Sequence, residues 1–140
     1  MDFQFSTDIE KISWENLAKI VELAPLGKKD PKKLELAFRN SLVRCFAYHG
    51  EKLIGAGRAV SDGVWRAAIY DVVVLPEYQG KGVGTQIMNR IVQETNVDMI
   101  MLYATPGKET FYSKIGFRKM KTAMAIMSNP DLFREKGFIE

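Results

Sequence analysis

A mixed α/β fold is what the sequence predicts, and three observations predict it. Segments that alternate apolar and polar residues are interleaved with segments of helical period, so strands and helices share one chain. An apolar, β-branched run, Val72-Val73-Val74-Leu75, enters a turn with glycines at 80, 82 and 84 and passes at once into a helical pattern. The length of 140 residues is near that of one ordinary domain and buries a core without staples; no linker, repeat or low-complexity stretch divides it. One domain over 1–140 is expected.

The elements follow in order. Phe3 and Phe5 alternate with polar neighbours as a first strand. Ser13 is placed to cap a helix with Trp14, Leu17, Ala18 and Val21 on one face, ended by Pro25 and Gly27. Asp30 and Pro31 have the order of an N-cap and first helical residue, and Leu34, Phe38 and Leu42 mark the buried face of the helix they open. Two strands, 43–48 and 52–60, are joined across His49-Gly50-Glu51-Lys52, a hairpin turn. A third strand, 65–74, leads into the glycine turn. Val83, Ile87, Met88, Ile91 and Val92 form the apolar stripe of the next helix, with Asn89, Arg90, Gln93 and Glu94 outside. Asp98 to Tyr103 reads as a short buried strand, Gly107 to Ile115 as a helix and Lys121 to Met127 as a closing strand.

Composition narrows the function. The net charge of +3 is slight, and the densest basic cluster, Lys28, Lys29, Lys32 and Lys33, is interrupted by Asp30 and Pro31, so it reads as a solvated helix start ahead of a patch for an acidic partner or an adenosine phosphate, and nucleic-acid binding has no better support. No apolar segment is long enough to cross a membrane, and the amino-terminal residues lack the pattern of a signal peptide, so a cytoplasmic protein is expected. The single cysteine, Cys45, has no internal disulfide partner and lies in an alternating strand, where a buried small hydrophobe is the default. His49, the only histidine, reads as an exposed turn residue. No cluster of His, Cys, Asp and Glu has metal-ligand spacing, so no metal is expected.

The glycine turn carries the chemistry. Glycines bring main chain within hydrogen-bonding reach of a ligand, because no Cβ intervenes and positive φ is allowed. A helix starting near Gly82 adds its N-terminal amides and dipole, the geometry of an anion cradle suited to a pyrophosphate. Two familiar phosphate loops do not match. A nucleotide-triphosphate loop needs Ser or Thr directly after Gly-Lys, whereas Gly82 follows Lys81; the dinucleotide fingerprint spaces its glycines unevenly, whereas Gly80, Gly82 and Gly84 alternate.

Gln79, Gly82 and Gly84 do fill the pattern Q/R-x-x-G-x-G/A, and Phe111-Tyr112-Ser113-Lys114-Ile115-Gly116-Phe117 fills a second, F-Y-x-x-x-G-F. Over about residues 65 to 128 the chain thereby resembles the GNAT superfamily of acetyl-CoA-dependent N-acetyltransferases. The resemblance implies the GNAT (acyl-CoA N-acyltransferase) fold: a mixed, mostly antiparallel sheet flanked by helices, with splayed central strands between which the cofactor enters. It implies that the pantetheine arm pairs with the backbone of Val72, Val73 and Val74, an edge that also offers an N–H to the thioester oxygen. The pyrophosphate would take amides from Gln79, Gly80, Lys81, Gly82, Val83 and Gly84, with the Thr85 hydroxyl. Lys114 is a candidate for the cofactor phosphates, against a plain solvated lysine. Many relatives carry a cofactor-contacting asparagine after the fifth strand; here the segment is Tyr103-Ala104-Thr105-Pro106, and Thr105 is the substitute if the contact exists.

Acetyl transfer to an amine needs a deprotonated acceptor, stabilised charge on the carbonyl oxygen and a protonated leaving thiolate. Tyr112, which matches the tyrosine many relatives use, is the candidate general acid, since a phenol near pKa 10 keeps its proton at neutral pH. Asp71, a carboxylate inside an apolar strand, is either a base or amine-binding group or a structural hydrogen-bond partner. By alternation it shares a face with Ile69 and Val73, opposite Tyr70, Val72 and Val74.

The expected reaction is transfer of acetyl to a primary amine of a small molecule by direct attack in a ternary complex. The resemblance implies an acceptor site built from the first two helices, their loop and the last strands, which brings in Trp14, Leu26, Phe38, Phe46, Trp65, Tyr78 and the methionines at 120, 124 and 127. These suit an apolar or arylalkyl amine, with Asp62, Asp71 or Glu109 for its ammonium, although each apolar residue is first a core candidate. The rivals are a protein lysine or N-terminal acetyltransferase and a non-catalytic acyl-CoA-binding sensor or scaffold. For the apolar tail after Asn129, a homodimer contact and burial of Phe133 and Phe138 on their own domain stand side by side.

Overall fold

The structure, a computed structural model, describes residues 2–140. They form two compact units that divide between Leu102 and Tyr103.

The first unit is a five-stranded sheet in sequential order, β1 (Gln4–Ser6), β2 (Val43–His49), β3 (Lys52–Ser61), β4 (Arg66–Val74) and β5 (Met99–Met101). The first four strands pair antiparallel and β5 joins β4 in parallel. Helices α1 (Trp14–Leu23) and α2 (Pro31–Arg39) cover one face and α3 (Val83–Thr95) the other. Both expected caps are present: the Asn16 N–H donates to Ser13 Oγ at 3.3 Å and the Lys33 N–H to Asp30 Oδ2 at 3.1 Å. Each such cap typically contributes about 1 kcal/mol. Leu42 departs from the expectation. α2 stops at Arg39 because Asn40 closes it, so Leu42 falls beyond the last turn and is exposed instead of continuing the Leu34–Phe38 face.

The core has two layers. On the α1/α2 side Trp14, Phe38 and Phe46 meet ring to ring, with Phe38 and Phe46 stacked at 5.6 Å. On the α3 side Val83, Ile87, Met88 and Ile91 lie against the strands. They approach closely because β3 carries Gly57 there; a Cβ at Gly57 would stand 2.8 Å from Ile91 Cδ1.

Two details of the sheet differ from simple alternation. β5 spans three residues rather than 98–103 and is not buried: Met99 and Met101 are exposed and only Ile100 is half-buried, since within this unit it is an edge strand with β4 as its partner. More consequential, Arg58 pairs with Tyr70 while Ala56 pairs with Val73, so two steps on β3 answer three on β4. The extra residue is a β-bulge, and Asp71 sits in it with a φ of +56°. Strict alternation would put Asp71 on the face of Ile69, opposite Tyr70. The bulge instead places Asp71 and Tyr70 on the same side, both against the Arg58 guanidinium.

The second unit holds α4 (Glu109–Ile115) and α5 (Pro130–Glu135). Gly116, with a φ of +116°, ends α4, and the Phe117 N–H reaches back to the Tyr112 carbonyl. The expected closing strand over Lys121–Met127 does not form. A strand requires a ladder to satisfy its backbone, this unit offers no other strand, and the side chains of Met124 and Ile126 stand almost wholly in solvent. The tail is instead a small ring cluster. Phe138 packs on Phe133 at 5.3 Å and on Tyr103 at 5.7 Å, so Phe133 and Phe138 find cover within their own unit.

Candidate active site

β4 decides the geometry of the first unit's site. Its parallel partner β5 pairs with Arg66, Ala67 and Ala68 and no further, so the two strands part after three residues. From Ile69 onward β4 continues without β5, through the bulge at Asp71, to Val72, Val73 and Val74. The β3 pairing persists on its other side, extended by a bond from the Leu75 N–H to the Ile54 carbonyl. A strand edge released in this way presents backbone donors and acceptors to a ligand.

Beyond β4 a single 3-10 turn, Pro76–Tyr78, leads into the glycines. Gly80 and Gly82 have φ of +77° and +85°, and a Cβ on either would meet nothing within 4 Å, so the turn is open as well as left-handed. Gly82 is the N-cap of α3 and brings no side chain to its first amides. Those amides, from Val83, Gly84 and Thr85, are of the kind a helix leaves without an internal partner. The residues present therefore fit a bound pyrophosphate.

Gln79 departs from the expectation in part. Its N–H already donates to the Pro76 carbonyl at 3.2 Å and its side-chain amide to the Val74 carbonyl at 2.9 Å. It ties the turn to the end of β4. Lys81 and Thr85 are exposed beside it.

His49 is not an exposed turn residue. Gly50 and Glu51 make the turn, while His49 is half-buried with Nδ1 2.8 Å from Tyr78 Oη and its ring edge-on to Phe3 and Tyr78. The β2–β3 hairpin is thus tethered to the residue just before Gln79. Lys52 Nζ lies 5.5 Å from the Tyr78 ring centre.

Asp71 is ion-paired. Arg58 Nε donates to its Oδ2 at 2.8 Å, and both side chains are largely buried. Sequence reading passed over Arg58, although a lone cation in the apolar run Leu53–Val60, one hairpin away from a lone carboxylate, was the available signal. Asp62 and Glu109, considered for an ammonium, are occupied otherwise. Asp62 Oδ1 accepts from the N–H groups of Val64, Trp65 and Arg66, and these backbone donors hold its carboxyl below the usual range. Glu109 is held down in the same way by its own N–H and that of Gly107. Trp14, Phe38 and Phe46 are core, as their residue type first suggests.

Tyr112, Lys114 and Thr105 belong to the second unit. Tyr112 is half-buried on α4, its ring edge-on to Phe111 at 5.0 Å and Phe117 at 6.1 Å. Burial raises its phenol above the ordinary tyrosine value, which favours the protonated form. Lys114, in the last turn of α4, and Thr105, in the loop before it, are exposed.

Residues 41–119 match the family described as the acetyltransferase (GNAT) domain, a span that holds both the glycine turn and α4. The chain belongs to the GNAT acetyltransferase family. An uncharacterized N-acetyltransferase, ycf52, of Pyropia yezoensis is 34% identical over 117 residues, 79% of this chain and 67% of that protein. Serotonin N-acetyltransferase 2, chloroplastic, of Oryza sativa subsp. japonica is 42% identical over 67 residues, 46% of this chain and 34% of its own length. The chain thus spans about two thirds of the first relative and a third of the second. Among solved structures, a protein of unknown function from meticillin-resistant Staphylococcus aureus, described as a probable acetyltransferase, superposes with a TM-score of 0.79 at 26% identity, covering 90% of this chain and 99% of that one. The GNAT fold with its parted central strands is therefore the fold of this chain.

Proposed function

We propose that this chain transfers acetyl from acetyl-CoA to the primary amine of a small molecule, in a ternary complex. The observation that carries the reading is the continuous run in which β4 leaves β5 at Ala68, presents Val72–Val74 and ends in an open glycine turn at the N-terminus of α3. When bound, acetyl-CoA supplies an activated acyl group and a thiolate leaving group.

The chain's own groups have distinct tasks. The Val72–Val74 backbone binds the amide-rich arm as a neighbouring strand would and offers an N–H to the carbonyl oxygen, where negative charge develops. Amides from Gly80 to Gly84, with the Thr85 hydroxyl, hold the phosphates, aided by the α3 dipole, a contribution of up to about 2 kcal/mol when partly buried. Tyr112 holds the proton for the departing sulfur, its raised phenol keeping it available at neutral pH. Lys114 and Thr105 are assigned to the cofactor's outer groups.

An arylalkyl amine is the acceptor class proposed first, on the likeness to the rice protein, whose name gives serotonin as its substrate. The single buried cysteine suits a reducing compartment, and the cytoplasm is the location proposed. The test is acetyl-CoA-dependent release of free thiol across arylalkylamines, polyamines, amino sugars, amino acids and lysine peptides, with wild type and Tyr112→Phe compared. Turnover of one amine class, lowered about 10²-fold or more by the substitution, is the expected outcome. Turnover confined to lysine peptides would replace the small-molecule reading, and acetyl-CoA binding without turnover of any acceptor would favour a sensor.

A further inference from the structure

We infer that Arg58 is a positioning residue for the donor half of the site, acting through Asp71 to lock the β4 bulge that aims the Val72–Val74 backbone. The inference rests on the function proposed above and assigns Asp71 the role of a lock rather than a general base.

The register comes first. Two steps on β3, Ala56 to Arg58, face three on β4, Val73 to Tyr70, so Asp71 and Val72 together stand opposite the single Gly57 and β4 carries one residue in excess. Asp71 takes up the excess in a left-handed conformation, φ +56°, that only glycine adopts freely. Such a conformation persists where the surroundings over-determine it. Here they do so through the side chain. Arg58 Nε donates to Asp71 Oδ2 at 2.8 Å, Arg58 Nη1 to Ser41 Oγ at 3.2 Å, and Ser41 Oγ in turn donates to the Ala37 carbonyl at 2.7 Å. The guanidinium also lies 5.2 Å from the Tyr70 ring and 5.9 Å from the Phe38 ring. The bulge is therefore anchored to β3, to the end of α2 and to the aromatic core together.

Charge explains why the anchor is a carboxylate. Arg44 is the β2 residue directly across from Arg58 and bonds the Ser41 carbonyl at 3.1 Å, so two guanidinium groups converge on Ser41 from neighbouring strands. Asp71 supplies the opposite charge, in a place where both partners of the pair are mostly shielded from water. Taking up a substrate proton would break that pair, a poor arrangement for a base.

Position turns the lock into a functional device. The bulge begins three residues after the last β4–β5 pair, at Ala68, and directly precedes Val72. An extra residue re-aims the strand that follows it, so the direction of the Val72–Val74 amides and carbonyls depends on Asp71 staying where Arg58 holds it.

The test uses the full chain with Arg58→Ala, Arg58→Lys, Asp71→Ala and Asp71→Asn. Melting curves establish folding, and two functional readouts follow: kcat and KM for acetyl-CoA across pH, and amide ¹⁵N–¹H shifts of Val72, Val73 and Val74 without acetyl-CoA. Arg58→Ala and Asp71→Ala are expected to lower kcat by about 10²-fold, the effect of a misplacement near 1 Å, and to move those amide signals. Asp71→Asn keeps an acceptor for Arg58 and a side chain that tolerates the left-handed region, so it should retain activity within about tenfold and preserve the acidic limb of the pH profile. Arg58→Lys should restore part of what Arg58→Ala loses. Asp71→Asn as inactive as Asp71→Ala, with the acidic limb gone, would make Asp71 the base and overturn the inference. A folded Arg58→Ala with unmoved amide signals would overturn it as well, whether or not the protein acetylates anything. Wild type inactive toward every acceptor would sink the proposed function alone, leaving the amide signals to decide the lock.

Discussion

At the scale of single residues, Tyr112, the proposed proton donor, shows how packing sets the ionisation of a phenol. Phe111 and Phe117 close on its ring from two sides, and the loss of water raises the phenol above its ordinary value near 10. A proton donor works only while protonated, so the raised value moves the alkaline loss of activity upward. In brief pH-jump assays the alkaline descent of kcat should be centred above the ordinary tyrosine value, and Tyr112→Phe should lower kcat by about 10²–10⁴ and remove that descent. A descent centred below pH 9, or one unchanged in Tyr112→Phe, would assign the proton to another group. The family was legible because the motifs around the glycines and Tyr112 are local. The ion pair at Asp71 was not, because Arg58 and Asp71 are 13 positions apart and meet only through the β3–β4 pairing.

At the scale of elements, glycines set how closely strand and helix approach, and two of them separate packing from binding. Gly57 lets the α3 side chains descend onto β3; a methyl there would press on Ile91 Cδ1 at 2.8 Å and Ile87 Cγ2 at 3.0 Å. Gly57→Ala should therefore lower unfolding stability by about 1–3 kcal/mol in a urea titration, with KM for acetyl-CoA little changed. Gly82→Ala meets no atom but must hold a φ of +85°, so it should cost about 1–2 kcal/mol and weaken acetyl-CoA binding in calorimetry. Equal effects of both on binding would mean that the turn is not the cradle. Helices α1 and α2 were legible because each carries a periodic apolar face and a side-chain cap, at Ser13 and Asp30, and α3 by its apolar stripe alone; α5, six residues with no buried side chain, was not read as a helix. The strands were less so. Alternation assumes an unbroken ladder, which fails at the Asp71 bulge, and it registers apolar spacing without asking for a partner, which is why Lys121–Met127 read as a strand and is not one.

At the scale of the whole molecule, groups in both units tie stability to pH from opposite ends. The Asp62 and Glu109 carboxyls sit below their usual range because backbone N–H groups hold them, so the stability they confer is present above the unfolded carboxylate values and is lost as pH falls through the folded ones. On the alkaline side the leading group is Cys45, which is 3% exposed on β2 and whose thiol burial pushes up from 9.0 to about 11. A group raised in the folded state stabilises fully below its unfolded value and less as pH climbs toward the folded one. Between pH 9 and 11 the unfolded chain releases the thiol proton while the folded chain keeps it, a loss of about 2–3 kcal/mol over that window. Cys45→Ala should flatten this alkaline decline in melts taken from pH 8 to 11, at the expense of a small cavity beside Ile91. The same burial predicts that iodoacetamide at pH 8 leaves the native thiol unmodified and labels it fully in denaturant. Rapid labelling of the native protein would show that β1 and β2 open at this point far more readily than their packing implies, and the alkaline decline would then belong to other groups, Tyr48 and Tyr112 first among them.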